Sequence, residues 1–524
     1  MALPHVNADS HPESLRAYLW RHRRRAFYIL VLTLAIYAVC VVSLSSYLIR
    51  VIERHYRGRM SGRPHYAQHF DCAASRARIG DGLRAYVARE RESDPELEEL
   101  VRPLFTRKPL VIWTSDHHSA PVHNLRALLQ PLGVRFIDHT AYFYCETTCS
   151  CEGQDGLRVL KPDNILHLSP ELIRRFHREY PPNDPEIALA DAFATFHCFG
   201  HLELFEPYNK SIIAISTTVY QDCRWPIRWN ELNAHLYRVF SRREHVIGAV
   251  SHYHREYIRY FTGLSVDYLP ALSLYTNASY APSPTRRSFL LVAQKVGFVN
   301  QELGDLWESA FARAYDRLPR QPPRFILEPL RERYPAYEFA DLAGHRGVVH
   351  VPYHVSTMSI FENYRMCIPL FFPSKELLVD WHLRFQLLYD RTTAGWFSRP
   401  TGSPQPAHPS VNPPLANPNP NQQTPAHYNN KYNASMPIPD PNADTDERAL
   451  RYWLPLADYF VLPHITYFSS VEELVETLNT ITEEQLLTVS HSMRAFNRES
   501  LKTQLRYWRA RLVHIAQHSP NRPA

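Results

Sequence analysis

Glycine is scarce in this chain, at 16 of 524 residues, and no glycine-rich phosphate loop opens its first strand-to-helix turn. A tightly held dinucleotide is therefore not expected there. Paired Cys-x-x-Cys motifs are absent, so the eight cysteines offer no zinc site. No dense Lys/Arg block or RNA-binding signature accompanies the formal net charge of +6, which removes the main case for nucleic acid. The one Asp-x-Asp pair, Asp444-Thr445-Asp446, borders a low-complexity stretch. That is a poor place for a divalent cation, and the pair reads as a solvated acidic run. No metal and no organic cofactor are expected.

What is present is a long chain with 45% hydrophobic residues, enough for two sizeable cores. Ala26–Ile49 is almost uninterrupted apolar sequence, preceded by Arg21, Arg23, Arg24 and Arg25 and ended by Arg50. Its length suits a bilayer span, and no small-residue cleavage pattern follows it, so it reads as a retained signal anchor. Basic residues flank the span on both sides, which leaves orientation to other signals. Three glycosylation sequons, at Asn209, Asn277 and Asn433, favour a luminal body and a single-pass type II protein of the Golgi or endoplasmic reticulum membrane. In such a lumen Cys145, Cys149 and Cys151 suit disulfides, and Cys367 is the expected unpaired thiol.

The chain divides into a cytoplasmic tail (1–25), the anchor (26–49), a polar stem (50–106) and a first domain (107–270). A Pro/Ser-rich linker (271–287) and a second domain (288–515) follow. A Pro/Asn/Ser-rich insertion, 397–446, interrupts the second domain and has too few apolar residues to bury a core. Strands are predicted at Leu110–Trp113, Val134–Ile137, Ala192–Phe196 and Ser211–Ser216, then at Ser288–Ala293, Val348–Val351, Ile368–Phe372 and Tyr459–Leu462, with helical spacing between them. This is an α/β pattern of two Rossmann-like domains facing a cleft. Ligands of such sheets bind beyond the carboxyl ends of strands. Asp116, His117 and His118 follow the first strand, and His197 and His201 follow the third. Asp116, His118 and His197 are the candidate proton-transfer groups, because imidazole titrates near working pH.

In the second domain, the stretch Val348–Ser374 reads as strand, turn, helix, strand. His354 is placed at the first turn of the helix, and Glu362 lies eight positions on, so both project from a similar face. An imidazole at a helix N-terminus suits a pyrophosphate, and a carboxylate two turns deeper suits the hydroxyls of a ribose.

The order and spacing of His354, Ser359, Glu362 and Pro369 resemble the signature box of the plant secondary-metabolite glycosyltransferases. The Glu-to-Pro step also resembles the wider GT-B glycosyltransferase pattern, in which a Glu is followed by Gly-x-Pro. Cys367 stands in place of that Gly, the Trp-Asn part of the plant box is missing, and His354 stands where retaining enzymes often have a first Glu. The resemblance spans about twenty residues. It implies a GT-B-like fold in which His354 and Ser359 contact a diphosphate and Glu362 holds the ribose. Lys295, just past the Ser288–Ala293 strand, would meet the donor phosphates. The implied activity is metal-independent transfer of a sugar from a nucleotide-sugar donor to a glycan, lipid or protein acceptor. The alternative is an inactive glycan-binding or scaffold protein on the same fold.

Overall fold

The computed structural model describes residues 82–89, 94–141, 157–166, 168–197, 199–221, 229–293, 301–319, 324–334, 337–388, 391 and 438–522. The predicted tail, anchor and most of the stem lie outside them. So do Lys295, Asn433, most of the insertion and every cysteine but Cys367. No helix among the described residues is long and apolar enough to cross a membrane, and the predicted span is not among them.

The described chain is α/β and carries two all-parallel sheets within one compact unit, Phe70–Ala524. The first sheet contains β1 (Leu110–Thr114), β2 (Val134–Asp138), β3 (Ala192–Thr195), β4 (Ser211–Ser216), β5 (Val246–Ala249) and β6 (Asp267–Tyr268), in the order β2-β1-β3-β4-β5-β6. The second contains β7 (Ser288–Ala293), β8 (Ile326–Pro329), β9 (Val348–Val351), β10 (Leu370–Pro373) and β11 (Thr466–Phe468), in the order β11-β10-β9-β7-β8. Both sheets therefore start with a central strand, place the next strand on one side, and cross to the other side for the third.

Sequence explains the layering. β3 and β4 are buried at every position, and β4 reads Ser-Ile-Ile-Ala-Ile-Ser with no alternation. A strand of that kind needs cover on both faces, which helices supply in a parallel sheet. Pro329 ends β8, an outer strand, where a missing N–H leaves no ladder bond unmade.

Several expectations need correction. The stem does not extend to residue 106. The Gly82–Arg89 and Pro95–Leu100 helices belong to the folded body and bury Leu83, Tyr86 and Leu97. A Cβ on Gly82 would lie 2.7 Å from the Leu274 carbonyl oxygen, so backbone meets backbone at the linker. Tyr459–Leu462 is not a strand: Asp458–Val461 is a short helix, and the strand is β11. β5 is a further buried strand, four residues long, that no expected strand covers.

The insertion also ends earlier than expected. Ile438 and Asn442 are buried, and the Asn442 amide donates to Tyr257 Oη at 2.9 Å. Asp444 is paired with the fully buried Arg391, and Asp446 caps the Glu447–Trp453 helix. Asp444 is therefore part of the packed body, while Asp446 stays exposed and serves as a helix cap.

Finally, the Glu483–His518 helix is not confined to the second domain. Its 36 residues extend about 54 Å. Asn497 Nδ2 donates to Tyr364 O at 3.0 Å, near the second sheet. Further along, Tyr507 Oη donates to Asp267 of β6 at 2.6 Å, and Lys502 pairs with Asp94 at 2.7 Å. Ser519, just past its end, donates to Asp191 at 2.5 Å, and the same carboxyl accepts the Val111 N–H of β1 at 2.8 Å.

Candidate functional site

In an open parallel sheet, the crevice lies where strand order reverses. In the first sheet this is between β1 and β3, and in the second between β7 and β9. Asp116 follows β1 by two residues, His197 follows β3 by two, and His354 follows β9 by three.

Asp116 is a hub at the first reversal. Its Oδ2 accepts the N–H groups of Phe196 (2.8 Å) and His197 (3.0 Å), and its Oδ1 accepts the His118 N–H at 3.0 Å. The same Oδ1 lies 3.1 Å from Nδ1 of His197. The carboxyl is fully buried. Burial alone would raise its pKa, but the His197 hydrogen bond, the His197 and His201 charges and the backbone N–H outweigh that and hold it well below the usual carboxylate range. An ionised Asp116 fixes the His197 ring so that Nε2 faces away from it. His118 stacks on His197 at 5.2 Å between ring centroids, and His117 meets the same ring edge-on at 6.1 Å. Thr217, after β4, lies 3.2 Å from His197 Nδ1. The three residues singled out for proton transfer, Asp116, His118 and His197, thus occupy one spot. His201 does not join them, since its Nε2 lies 3.1 Å from the Ile165 carbonyl oxygen in the core.

Sequence reasoning missed His254. It lies in the His252–Thr262 helix, which opens after β5 with Ser251 as its cap. The side chain is fully buried, and neither ring nitrogen has a hydrogen-bond partner. Burial, then the neighbouring His354 and His197, push its pKa well below the ordinary value, so it is neutral. Its ring lies 5.6 Å from that of His354. His254 thereby joins the first sheet's histidines to the second sheet's. Its signal was the polar-then-helical stretch Ser251-His-Tyr-His after Val246–Ala249, which required recognising β5 first.

His354 is not in a helix. The helix runs Met358–Arg365 with Thr357 as its N-cap, and His354 sits in the loop before it. The reason is local: His354 Nδ1 lies 3.0 Å from Ser356 N and 2.6 Å from Ser356 O, a tight turn that holds residues 354–356 out of helical geometry. Asp458 is fully buried nearby, with its backbone N–H donating to Val355 O at 3.1 Å. Burial raises its carboxyl well above the usual range, and the Ser356 side chain only partly offsets this. Ser359 lies in the first turn of the helix, half-buried, with its hydroxyl 3.0 Å from that of Thr357.

Glu362 is half-buried and already engaged: Tyr275 of the linker donates to its Oε1 at 2.5 Å. Burial raises the Glu362 carboxyl, the Tyr275 hydrogen bond opposing it, and burial together with Glu362 raises the Tyr275 phenol. Cys367 occupies the position of the expected Gly and has φ +60°, the left-handed conformation that favours glycine. Its thiol is free and buried, and Asn497 Nδ2 lies 3.4 Å from the sulfur.

A small, mainly apolar recess, partly open to solvent, is lined among others by Phe196, Thr217, Leu269, Met358 and Trp508. It runs from the strand ends of the first sheet to the start of the Met358–Arg365 helix. Of the sequon residues described, Asn209 is exposed, whereas Asn277 is half-buried and accepts a hydrogen bond from Arg89. Among the described residues, no group of three or more His, Cys, Asp and Glu side chains is arranged to hold a metal ion. No protein-family model and no curated protein matches this chain.

Proposed function

We propose that the protein is a glycosyltransferase of GT-B architecture, which moves a sugar from a nucleotide-sugar donor to an acceptor hydroxyl. The observation that carries this reading is the placement of Asp116–His197 at one reversal and His354 at the other, joined through the unpartnered His254. Two parallel sheets of like strand order support the architecture.

In this reading His197 Nε2 takes the proton of the acceptor hydroxyl, and Asp116 stabilises the imidazolium that results. The acceptor oxygen bonds the anomeric carbon as the bond to the diphosphate breaks. His354, Ser359 and the start of the Met358–Arg365 helix offset the charge that develops on the leaving diphosphate. Glu362 holds the ribose, exchanging or sharing its bond to Tyr275. The N-terminal apolar run would anchor this body to a secretory membrane, facing the lumen.

The bond between Tyr275 and Glu362 also favours a second reading, an inactive fold in which the chain itself fills the ribose position. Titration with UDP and GDP, followed by thermal unfolding, separates the two. Under the transferase reading the wild type is stabilised by one of them. Glu362→Gln then weakens that binding by about 1.5–3 kcal/mol. His354→Ala lowers turnover more than donor affinity. Absence of binding to the wild type, or unchanged binding by Glu362→Gln, would exclude the donor site.

A further inference from the structure

A second, small recess, part of it open to solvent, lies against the linker, and no histidine lines it. Tyr86, Arg89, Thr276, Arg365, Arg494 and Asn497 are among the residues that line it. Arg365 is only 6% exposed, and neither Nη1 nor Nη2 has a hydrogen-bond acceptor. Its Cζ lies over the Tyr86 ring, 3.6 Å from the centroid. A cation–π contact offsets part of the desolvation of a buried cation but satisfies none of its N–H donors. Arg89 adds a second guanidinium, which donates to the Asn277 carbonyl oxygen at 2.9 Å. Arg494 adds a third, beside the Cys367 sulfur. No carboxylate among the described residues lines the recess.

We propose that this recess binds a phosphate group. The unpartnered Nη1 and Nη2 of buried Arg365 call for an acceptor, and Arg494 and Arg89 line the same recess. The planar N–H fork of arginine matches phosphate oxygens bidentately, and the Thr276 hydroxyl supplies a further donor. The bound group meets Arg365 at the end of the Met358–Arg365 helix, Arg494 on the Glu483–His518 helix and the linker through Arg89. Tyr275, the residue before Thr276, is the one that bonds Glu362, so an occupant here also steadies the linker behind the candidate ribose site. That last consequence rests on the donor-site reading, whereas the phosphate site does not.

The test is thermal unfolding of the full chain in rising inorganic phosphate, against sodium chloride at matched ionic strength. A saturable rise in melting temperature with phosphate alone is expected. Arg365→Gln and Arg494→Gln each raise the half-saturating concentration at least about tenfold, while His354→Ala leaves it unchanged. Arg494 is partly exposed, so its variant carries the test should Arg365→Gln fail to fold. A parallel titration with a sugar monophosphate identifies the source: tighter binding than inorganic phosphate points to a phosphate ester, and equal binding to the free ion. Absence of a saturable response overturns the proposal, as does an unchanged response in both arginine variants or loss of the response in His354→Ala.

Discussion

His197 Nδ1 lies 3.1 Å from Asp116 Oδ1, and the backbone N–H of His197 donates to the other oxygen of the same carboxylate at 3.0 Å. One side chain at the end of β1 thereby fixes both the ring and the main chain of a residue at the end of β3.

Replacing Asp116 by Asn should consequently act on rate and stability together. With no ionised partner to fix the tautomer and stabilise the imidazolium, turnover should fall by about 10²–10⁴. The wild-type carboxyl has a depressed pKa, so its contribution to stability is complete above the unfolded value near 4 and is lost as pH falls below it. The stability gap between wild type and Asp116→Asn should therefore be widest at neutral pH and narrow on acidification below about pH 4. A gap independent of pH would contradict the assignment.

The buried neutral histidines predict a second, milder acid sensitivity. Burial lowers His350 and His382 to about 3, with Arg391 adding to the effect at His382. Below about pH 6.5 the unfolded chain takes up protons that these folded residues refuse, so stability falls as pH drops. Each accounts for about 2 kcal/mol lost between pH 6.5 and pH 5. His350→Gln, which keeps a partner for Asn363, should flatten denaturant midpoints over that range relative to wild type.

Cys367 at φ +60° separates strain from packing. Glycine there relieves about 1 kcal/mol of backbone strain and loses a small buried side chain. Cys367→Gly should therefore match the wild type to within about 1 kcal/mol. Valine, branched at Cβ, should cost about 2 kcal/mol or more. Equal melting temperatures for the two variants would show that the backbone is not constrained here.

The insertion should be removable only within limits. Replacing residues 403–437 by a short Gly/Ser linker should leave the melting temperature near that of wild type, since their composition offers little to a core. Extending the deletion through Asn442 and Asp444 removes the partners of Tyr257 and Arg391. Arg391→Ala, which removes the buried cation paired with Asp444 and leaves Tyr253 without its donor, should cost about 3–5 kcal/mol.

How much of this was legible in the sequence varies with the range of the forces involved. β4 was placed residue for residue, because a fully buried strand in a parallel sheet is an unbroken apolar run between turn signals. Asp116, His118 and His197 were found together, because strand ends are local features and topology then assembles them. β5 was missed, and with it His254, because four residues beside a charged turn carry little periodicity. Tyr459–Leu462 was read as a strand because a short apolar run suits either state, and only packing around Asp458 selects the helix. Neither the pairing of Arg391 with Asp444 nor the bond from Tyr275 to Glu362 has a local signature, since their partners lie 53 and 87 positions apart.

The long closing helix bears on the order in which the molecule can be made. Asp191, beside β1, is completed by Ser519 and Arg522, residues at the very end of the described chain. During vectorial synthesis the first sheet is translated early, yet one of its flanking carboxylates waits about 330 residues for its partners. The first half therefore leaves the ribosome with an unfinished edge. Its final locking is the closure of a loop of about 330 residues, the kind of non-local contact that slows folding.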